Sequence, residues 1–167
     1  MEGAIPAKES AMAIVNTLAR YLKQHDIHFD VLPHAETSDA RLAAQAAHVS
    51  ARQVAKAVLL EDRHGFLMAV LPAGQQVNLV NLGAQLGRHL WLAKETETAQ
   101  LFQDCVPGAI PPAGAAYGLE TVYDNRLLQE ADIYFEGGSH TDLVHISGRQ
   151  FKRLIDMTKQ SHYCHVG

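Results

Sequence analysis

The sequence predicts a mixed α/β fold, a curled, mainly antiparallel, barrel-like sheet with flanking helices. Three observations carry this. Helical patterns open the chain, many short strand patterns with interspersed helices follow, and a helical pattern comes last. The strands do not alternate regularly with long helices, which argues against a doubly wound parallel sheet. A chain of 167 residues fits one domain, and at that length it buries roughly 70% of its unfolded surface without needing staples. Residues 1–167 read as a single domain, with no repeat, low-complexity segment or linker.

Residues 10–24 read as a helix capped by Ser10, with Ile14, Val15, Leu18 and Leu22 at helical spacing. Ile27–Leu32 alternates as a short strand that Pro33 ends. Thr37 and Ser38 open an alanine-rich helix reaching Val49. Ser50-Ala51-Arg52-Gln53 has the form of a capping box, so a short helix starts there. Ala55–Leu60 is a strongly apolar strand, Asp62–Gly65 a hairpin turn, and Phe66–Leu71 the returning strand, which Pro72-Ala73-Gly74 breaks. Asn78–His89 suggests a helix broken by Gly83 and Gly87, and Trp91 reads as core. Thr96–Asp104 is a short helix. Tyr117–Tyr123 and Leu127–Phe135 read as strands around an Asp124-Asn125 turn, and Leu143–Ile146 as the next strand. Ser147 and Gln150 frame a capping box for a last helix with Phe151, Leu154 and Ile155 on one face. The tail after it reads as frayed.

Composition excludes several classes of protein. Two cysteines, Cys105 and Cys164, make no disulfide framework, so the expected setting is a reducing one, the cytoplasm. The N-terminal residues lack the basic start and long apolar core of a signal peptide, and no run of about 18 apolar residues offers a membrane span. A net charge of −4 counts against a broad basic surface for nucleic acid. It leaves room for a local patch: Arg149, Lys152, Arg153 and Lys159 cluster late in the chain, a pattern whose ordinary meaning is a solvated helix face. Ten histidines invite a metal reading. His25, His28 and His34 show no ligand spacing, and His162, Cys164 and His165 sit together on the tail by chance, so no metal or other cofactor is expected.

Three places carry chemistry. In Glu136-Gly137-Gly138-Ser139-His140, adjacent glycines allow a sharp turn and close approach to the main chain. A floor of N–H groups beside a hydroxyl and an imidazole suits an ester carbonyl or a phosphate. A plain hairpin turn needing glycine explains the same residues. Lys56 stands between two alanines at the start of an apolar strand, either pointing into a pocket or lying as a strand-end lysine with its head in water. Gly108-Ala109-Ile110-Pro111-Pro112-Ala113-Gly114 is a stiff loop with permissive ends. It either holds N–H groups toward a developing oxyanion or rigidly connects strands.

In order and spacing, these three features resemble the YbaK family, the aminoacyl-tRNA deacylase domain also inserted in bacterial prolyl-tRNA synthetases. The resemblance spans roughly residues 26–157, and no synthetase catalytic domain accompanies it, so the chain looks like a free-standing member. It implies a YbaK-like fold and hydrolysis of the ester joining a wrong amino acid to the tRNA 3′ end, without a metal and often with help from the tRNA's own hydroxyl. It makes Lys56, Gly108 and His140 the catalytic positions. It places Ala109, Ile110, Pro111, Gly137, Gly138 and Ser139 around the substrate. The expected partner is the acceptor end of an aminoacyl-tRNA, with an aminoacyl-tRNA synthetase as a further one, and the default state is a monomer. Two other readings compete: a non-catalytic module using the same pocket for tRNA, a nucleotide, an amino acid or a synthetase, and a metal-dependent hydrolase.

Overall fold

The computed structural model describes residues 14–156 and 161–167. Its helices are α1 (Asn16–Gln24), α2 (Ala40–Ala46), α3 (Leu79–Leu86), α4 (Glu95–Leu101) and α5 (Gly148–Asp156). Its strands are β1 (Asp30–Pro33), β2 (Ala55–Asp62), β3 (Gly65–Pro72), β4 (Trp91–Leu92), β5 (Thr121–Asp124), β6 (Asp132–Glu136), β7 (Asp142–Ser147) and β8 (Ser161–Cys164). Short 3-10 turns occupy Ala51–Gln53, Gly114–Tyr117 and Asn125–Gln129.

The strands form two sheets. The larger has the order β4-β2-β3-β5-β8, antiparallel from β4 to β3 and parallel from β3 to β8. The smaller, β1-β7-β6, is antiparallel throughout. The two meet at one corner, where Val54 bridges Tyr134 just before β2 begins. The assembly curls at that corner without closing into a barrel. Mixed α/β architecture with a mainly antiparallel, curled sheet is therefore what the sequence predicts and the chain adopts.

Core packing explains the apolar runs. Met68 and Val70 of β3 face one cluster with Leu18 and Leu22 of α1, Phe135, Val144, and Phe151 of α5. Leu67, Ala69 and Leu71 face a second cluster with Leu82 of α3, Val122 and Val166. Strand β3 is thus covered on both faces, which is why it reads as continuous rather than alternating hydrophobicity. Each such large, fully buried side chain contributes roughly 1.5–3 kcal/mol; the first cluster joins the two sheets, and a third, with Val54, Leu143 and Ala43, packs at their corner.

Several boundaries differ from expectation for physical reasons. Asp26 takes φ 58°, so the chain turns there and β1 starts only at Asp30. His48 at φ 59° ends the α2 region early. Gly83 stays inside α3, because its lack of a Cβ admits the Arg88 carbonyl, while Gly87 at φ 66° closes that helix. Gly118 at φ 70° holds residues 114–117 in a 3-10 turn, which delays β5 to Thr121. The stretch from Leu127 opens as a 3-10 turn before β6. Trp91 is 40% exposed, not core: its strand is two residues long at the sheet edge, and its indole N–H donates to Glu61 at 3.2 Å. The tail is not frayed; Ser161–Cys164 pairs in parallel with β5. The Ser10 cap, Lys159 and the side chain of His162 lie outside the described residues.

Candidate functional site

The turn between β6 and β7 is built around α1. Glu136 ends β6 opposite Leu143. The Gly137 carbonyl accepts the Val15 N–H at 3.0 Å. A Cβ on Gly137 would come within 2.8 Å of Ile14, and one on Gly138 would collide with Val15. Gly138 also takes φ 107°, which disfavours any side chain. The two glycines therefore seat the residues leading into α1, a reason that neither local reading of the sequence contained.

The loop after α4 is zipped to that turn. Val106 N–H donates to the Gly138 carbonyl at 2.8 Å, and Gly138 N–H donates to the Ala109 carbonyl at 3.0 Å. Ala109 N–H returns to the Val106 carbonyl at 3.0 Å and closes a β-turn over Pro107 and Gly108. Proline at its second position and glycine at φ 83° at its third match a type II turn. Ala109 is buried, and Ile110 and Pro111 are buried too, with Ile110 packed in the main core. The stiffness of this loop thus comes from anchoring on its Ile110–Pro112 side. Tyr123 adds a hydrogen bond to the Pro112 carbonyl at 3.2 Å.

His140 lies under the loop. It is 8% exposed, and its Cε1 and Nε2 sit 3.6 Å from where a Gly108 Cβ would be. Its Nδ1 is 2.6 Å from a Glu136 carboxylate oxygen, and its Nε2 is 2.7 Å from the Pro107 carbonyl. Burial opposes charge on the ring, but the Pro107 carbonyl and Glu136 outweigh it and raise the His140 pKa. Burial raises the Glu136 pKa as well, against the pull of His140. Both ring nitrogens are engaged.

Lys56 enters from the other side, as the second residue of β2, opposite Leu71. It is half-buried. Burial lowers its pKa, Asp39 opposes this, and Arg41 adds to it. Asp39 caps α2 by accepting the Leu42 N–H at 2.9 Å, and its charge also acts on Glu136. Asp39 therefore stands electrostatically between Lys56 and the Glu136–His140 pair. The segment before α2 is fastened to the turn by His34 N–H to the Thr141 carbonyl at 2.9 Å and Thr37 N–H to the His140 carbonyl at 3.2 Å. His34 Nε2 and Thr37 Oγ1 are buried without a partner among the described residues. An open depression of about 810 Å³, lined by Glu36, Thr37, Ser38, Leu42, Gln45 and Ala46, adjoins the segment through Thr37.

The fold thus gathers Gly108, Ala109, Gly137, Gly138 and His140 directly, and the Val54–Tyr134 bridge starts β2, with Lys56 as its second residue, beside β6. Ser139 spends its hydroxyl locally, 3.2 Å from Thr141 Oγ1. Among the described residues, the N–H groups of Gly108, Ile110 and Ser139 donate to no protein acceptor. Such donors, at a corner carrying a lysine, can hold an anionic or carbonyl oxygen. Among the described residues, no three His, Cys, Asp or Glu side chains group to hold a metal. Sequence reading gave Pro107, Glu136, His34, Thr37 and Asp39 no place in the site. A Pro-Gly pair and an E-x3-H spacing were signals for the first two; nothing local marked the others.

Solved structures share this fold. A candidate trans-editing enzyme for prolyl-tRNA synthetase superposes with a TM-score of 0.77 at 20% identity, covering 98% of both chains. A hypothetical protein gives a TM-score of 0.77 at 21% identity, over 90% of this chain and 99% of that one. A scaffold used for computational epitope grafting gives 0.76 at 20% identity, over 98% and 97%. The chain therefore shares the fold of these structures. The profile of the aminoacyl-tRNA editing domain matches residues 34–154, a span that holds every site residue above, and the chain belongs to that family. Comparison with the curated proteins gives no significant match.

Proposed function

We propose that this protein is a trans-editing hydrolase that removes a wrong amino acid from the 3′ end of a tRNA. The reading is supported by the Val54–Tyr134 bridge, which starts the Lys56 strand beside β6, and by the contact of the His140 turn with the Gly108 loop, in an editing-family domain. An aminoacyl ester is an activated bond, so its hydrolysis needs positioning and oxyanion stabilisation more than a strong nucleophile. Lys56 supplies positive charge for the terminal phosphate or adenosine. The N–H groups of Gly108 and Ile110 receive the ester carbonyl oxygen as negative charge develops on it. Water attacks the carbonyl with help from the tRNA's own hydroxyl, and the free acid and deacylated tRNA leave. His140, with both nitrogens engaged, holds the loop instead of serving as the base. No metal takes part, so a chelator leaves the rate unchanged; a chelator-sensitive rate restored by one divalent ion overturns this.

The test is deacylation of a panel of mischarged tRNAs, including alanine, cysteine and serine on proline tRNA. One aminoacyl group should be lost rapidly with wild type and at least tenfold more slowly with Lys56→Ala, as for loss of an electrostatic contact of roughly 1.4 kcal/mol or more in the transition state. A second reading is a binding module for the same acceptor end. It is favoured by the engagement of both His140 nitrogens, with Glu136 and the Pro107 carbonyl. Binding of the panel without turnover of any member selects it.

A further inference from the structure

We infer that Glu136 is a positioning residue: through the His140 imidazole it fixes the Val106–Ile110 loop in the form that presents its N–H groups. This rests on the editing reading above and adds to it a residue that touches no substrate. The geometry is a chain of three groups. The Glu136 carboxylate is 4% exposed and takes Nδ1 of His140 at 2.6 Å. The opposite nitrogen reaches the Pro107 carbonyl at 2.7 Å, in the second position of the loop's β-turn. An imidazole facing two oxygen acceptors satisfies both only when both nitrogens carry protons. A buried carboxylate on one side is what keeps the second proton there. Removing it leaves a neutral ring that must choose between its two partners. The Val106–Gly108 side of the loop then keeps only its backbone bonds to Gly138 and Ala109, with Gly108 free to turn its N–H away, while the Ile110–Pro112 side stays anchored in the core.

Other charges face the pair. His34 and Asp39 act on Glu136, Glu36 acts on His140, and Lys56 faces Asp39. All lie on the segment before α2 or on β2, so they report on the pair without replacing its short contacts. The sign of the pH effect follows. The His140 pKa is raised, so the doubly bonded ring persists above the ordinary histidine range and is lost as pH rises through that raised value. In Glu136→Gln the side-chain amide can donate to an unprotonated Nδ1 while Nε2–H keeps Pro107. That clamp needs no extra proton and does not titrate there.

The experiment compares wild type, Glu136→Ala and Glu136→Gln in two measurements. The first is amide hydrogen exchange at Val106, Ala109 and Gly138, with Val70 of β3 as the control for an intact fold. The second is single-turnover deacylation of the tRNA found in the panel, followed against pH and corrected for spontaneous hydrolysis. In Glu136→Ala, exchange at the three loop amides rises roughly tenfold or more with Val70 unchanged. Its single-turnover rate at saturating enzyme falls about tenfold to a hundredfold, the scale of a misplaced reacting group, while the half-saturating enzyme concentration stays within about twofold. Glu136→Gln recovers most of both losses and lacks the alkaline fall of wild type. An unchanged loop exchange in Glu136→Ala overturns the inference whether or not the protein deacylates anything. An unchanged single-turnover rate alongside faster loop exchange also overturns it. If no tRNA is turned over, the editing reading fails by itself, and loop exchange still decides the clamp. Should the alanine variant not fold, the glutamine variant decides: a pH profile identical to that of wild type overturns the proposal.

Discussion

Gly108 and Gly138 both take positive φ, 83° and 107°, yet they have different surroundings. A Cβ on Gly108 meets only the His140 ring, at 3.6 Å, which is ordinary contact. The cost of Gly108→Ala is then the left-handed backbone alone, about 1–2 kcal/mol. A Cβ on Gly138 meets the same backbone cost and collides with Val15. Overpacking of that kind adds about 1–3 kcal/mol. Urea denaturation should therefore rank Gly138→Ala well below Gly108→Ala in stability. Deacylation per folded molecule should rank them the other way, because Gly138 spends its N–H on the Ala109 carbonyl whereas the Gly108 N–H donates to no protein acceptor among the described residues. Equal stabilities would mean that the α1 lead-in yields easily, and the packing role of Gly138 would be wrong. The glycines themselves were legible as places where the chain turns. Their reasons were not, since Val15 and His140 reach them from distant parts of the chain and no local pattern records that approach. Lys56 was legible as an oddity in an apolar strand; its neighbour Asp39 was not, because α2 is brought there by the fold.

Between elements, Arg88 does work that no element predicts. It follows the Gly87 stop of α3 and bonds Asp62 at 2.7 Å and Glu120 at 2.9 Å. Asp62 in turn caps the β2–β3 turn, accepting the N–H groups of His64 at 2.8 Å and Gly65 at 3.1 Å. One guanidinium thus ties a helix end, a hairpin and the approach to β5. The turn itself was plain in Asp62-Arg63-His64-Gly65, since aspartate and glycine suit its ends. Its distant cation was not, because ion pairing leaves no periodic trace. Trp91 failed for a related reason: apolar character marks a residue for burial only if something packs over its face, and both residues of the two-residue strand β4 are exposed. Arg88→Ala leaves Asp62, 5% exposed, without its cation. The loss should be about 2–3 kcal/mol, below that of a fully buried pair because Arg88 keeps 21% exposure. Chemical denaturation checks it, and Arg88→Lys should recover only part, lacking the fork that reaches two carboxylates. A loss under about 0.5 kcal/mol would place the pair among ordinary surface contacts.

For the whole molecule, the consequential departure from the sequence reading is β8. A tail that reads as frayed completes the parallel half of the large sheet and buries Cys164 and Val166. Asp124 fastens it: its carboxylate accepts Val166 N–H at 3.0 Å and Gly167 N–H at 3.2 Å, and it pairs with Arg126 at 2.8 Å. Burial opposes charge on Asp124, but Arg126 and these N–H groups hold its pKa at about 2. The Arg88 hydrogen bond holds Asp62 at about 2 as well. Both are depressed carboxylates, so their stabilisation is present above the ordinary aspartate pKa and disappears as pH falls through about 2. Removing residues 161–167 bares the β5 edge and costs on the order of 3 kcal/mol from lost burial and hydrogen bonds. It also takes two of the donors that depress Asp124, so the shortened chain should lose less of its remaining stability between pH 4 and pH 2, roughly the window set by that linkage. Denaturation midpoints across that window measure both effects. Strand β8 lies three strand spacings from β2, roughly 14 Å, while the site lies at the corner where β2 meets the smaller sheet. Deacylation per folded molecule should therefore survive the deletion at moderate temperature. Were activity to fall with the sheet edge intact elsewhere, the corner and the far edge would be one cooperative unit, and the site would depend on the whole sheet instead of on the clamp at its corner.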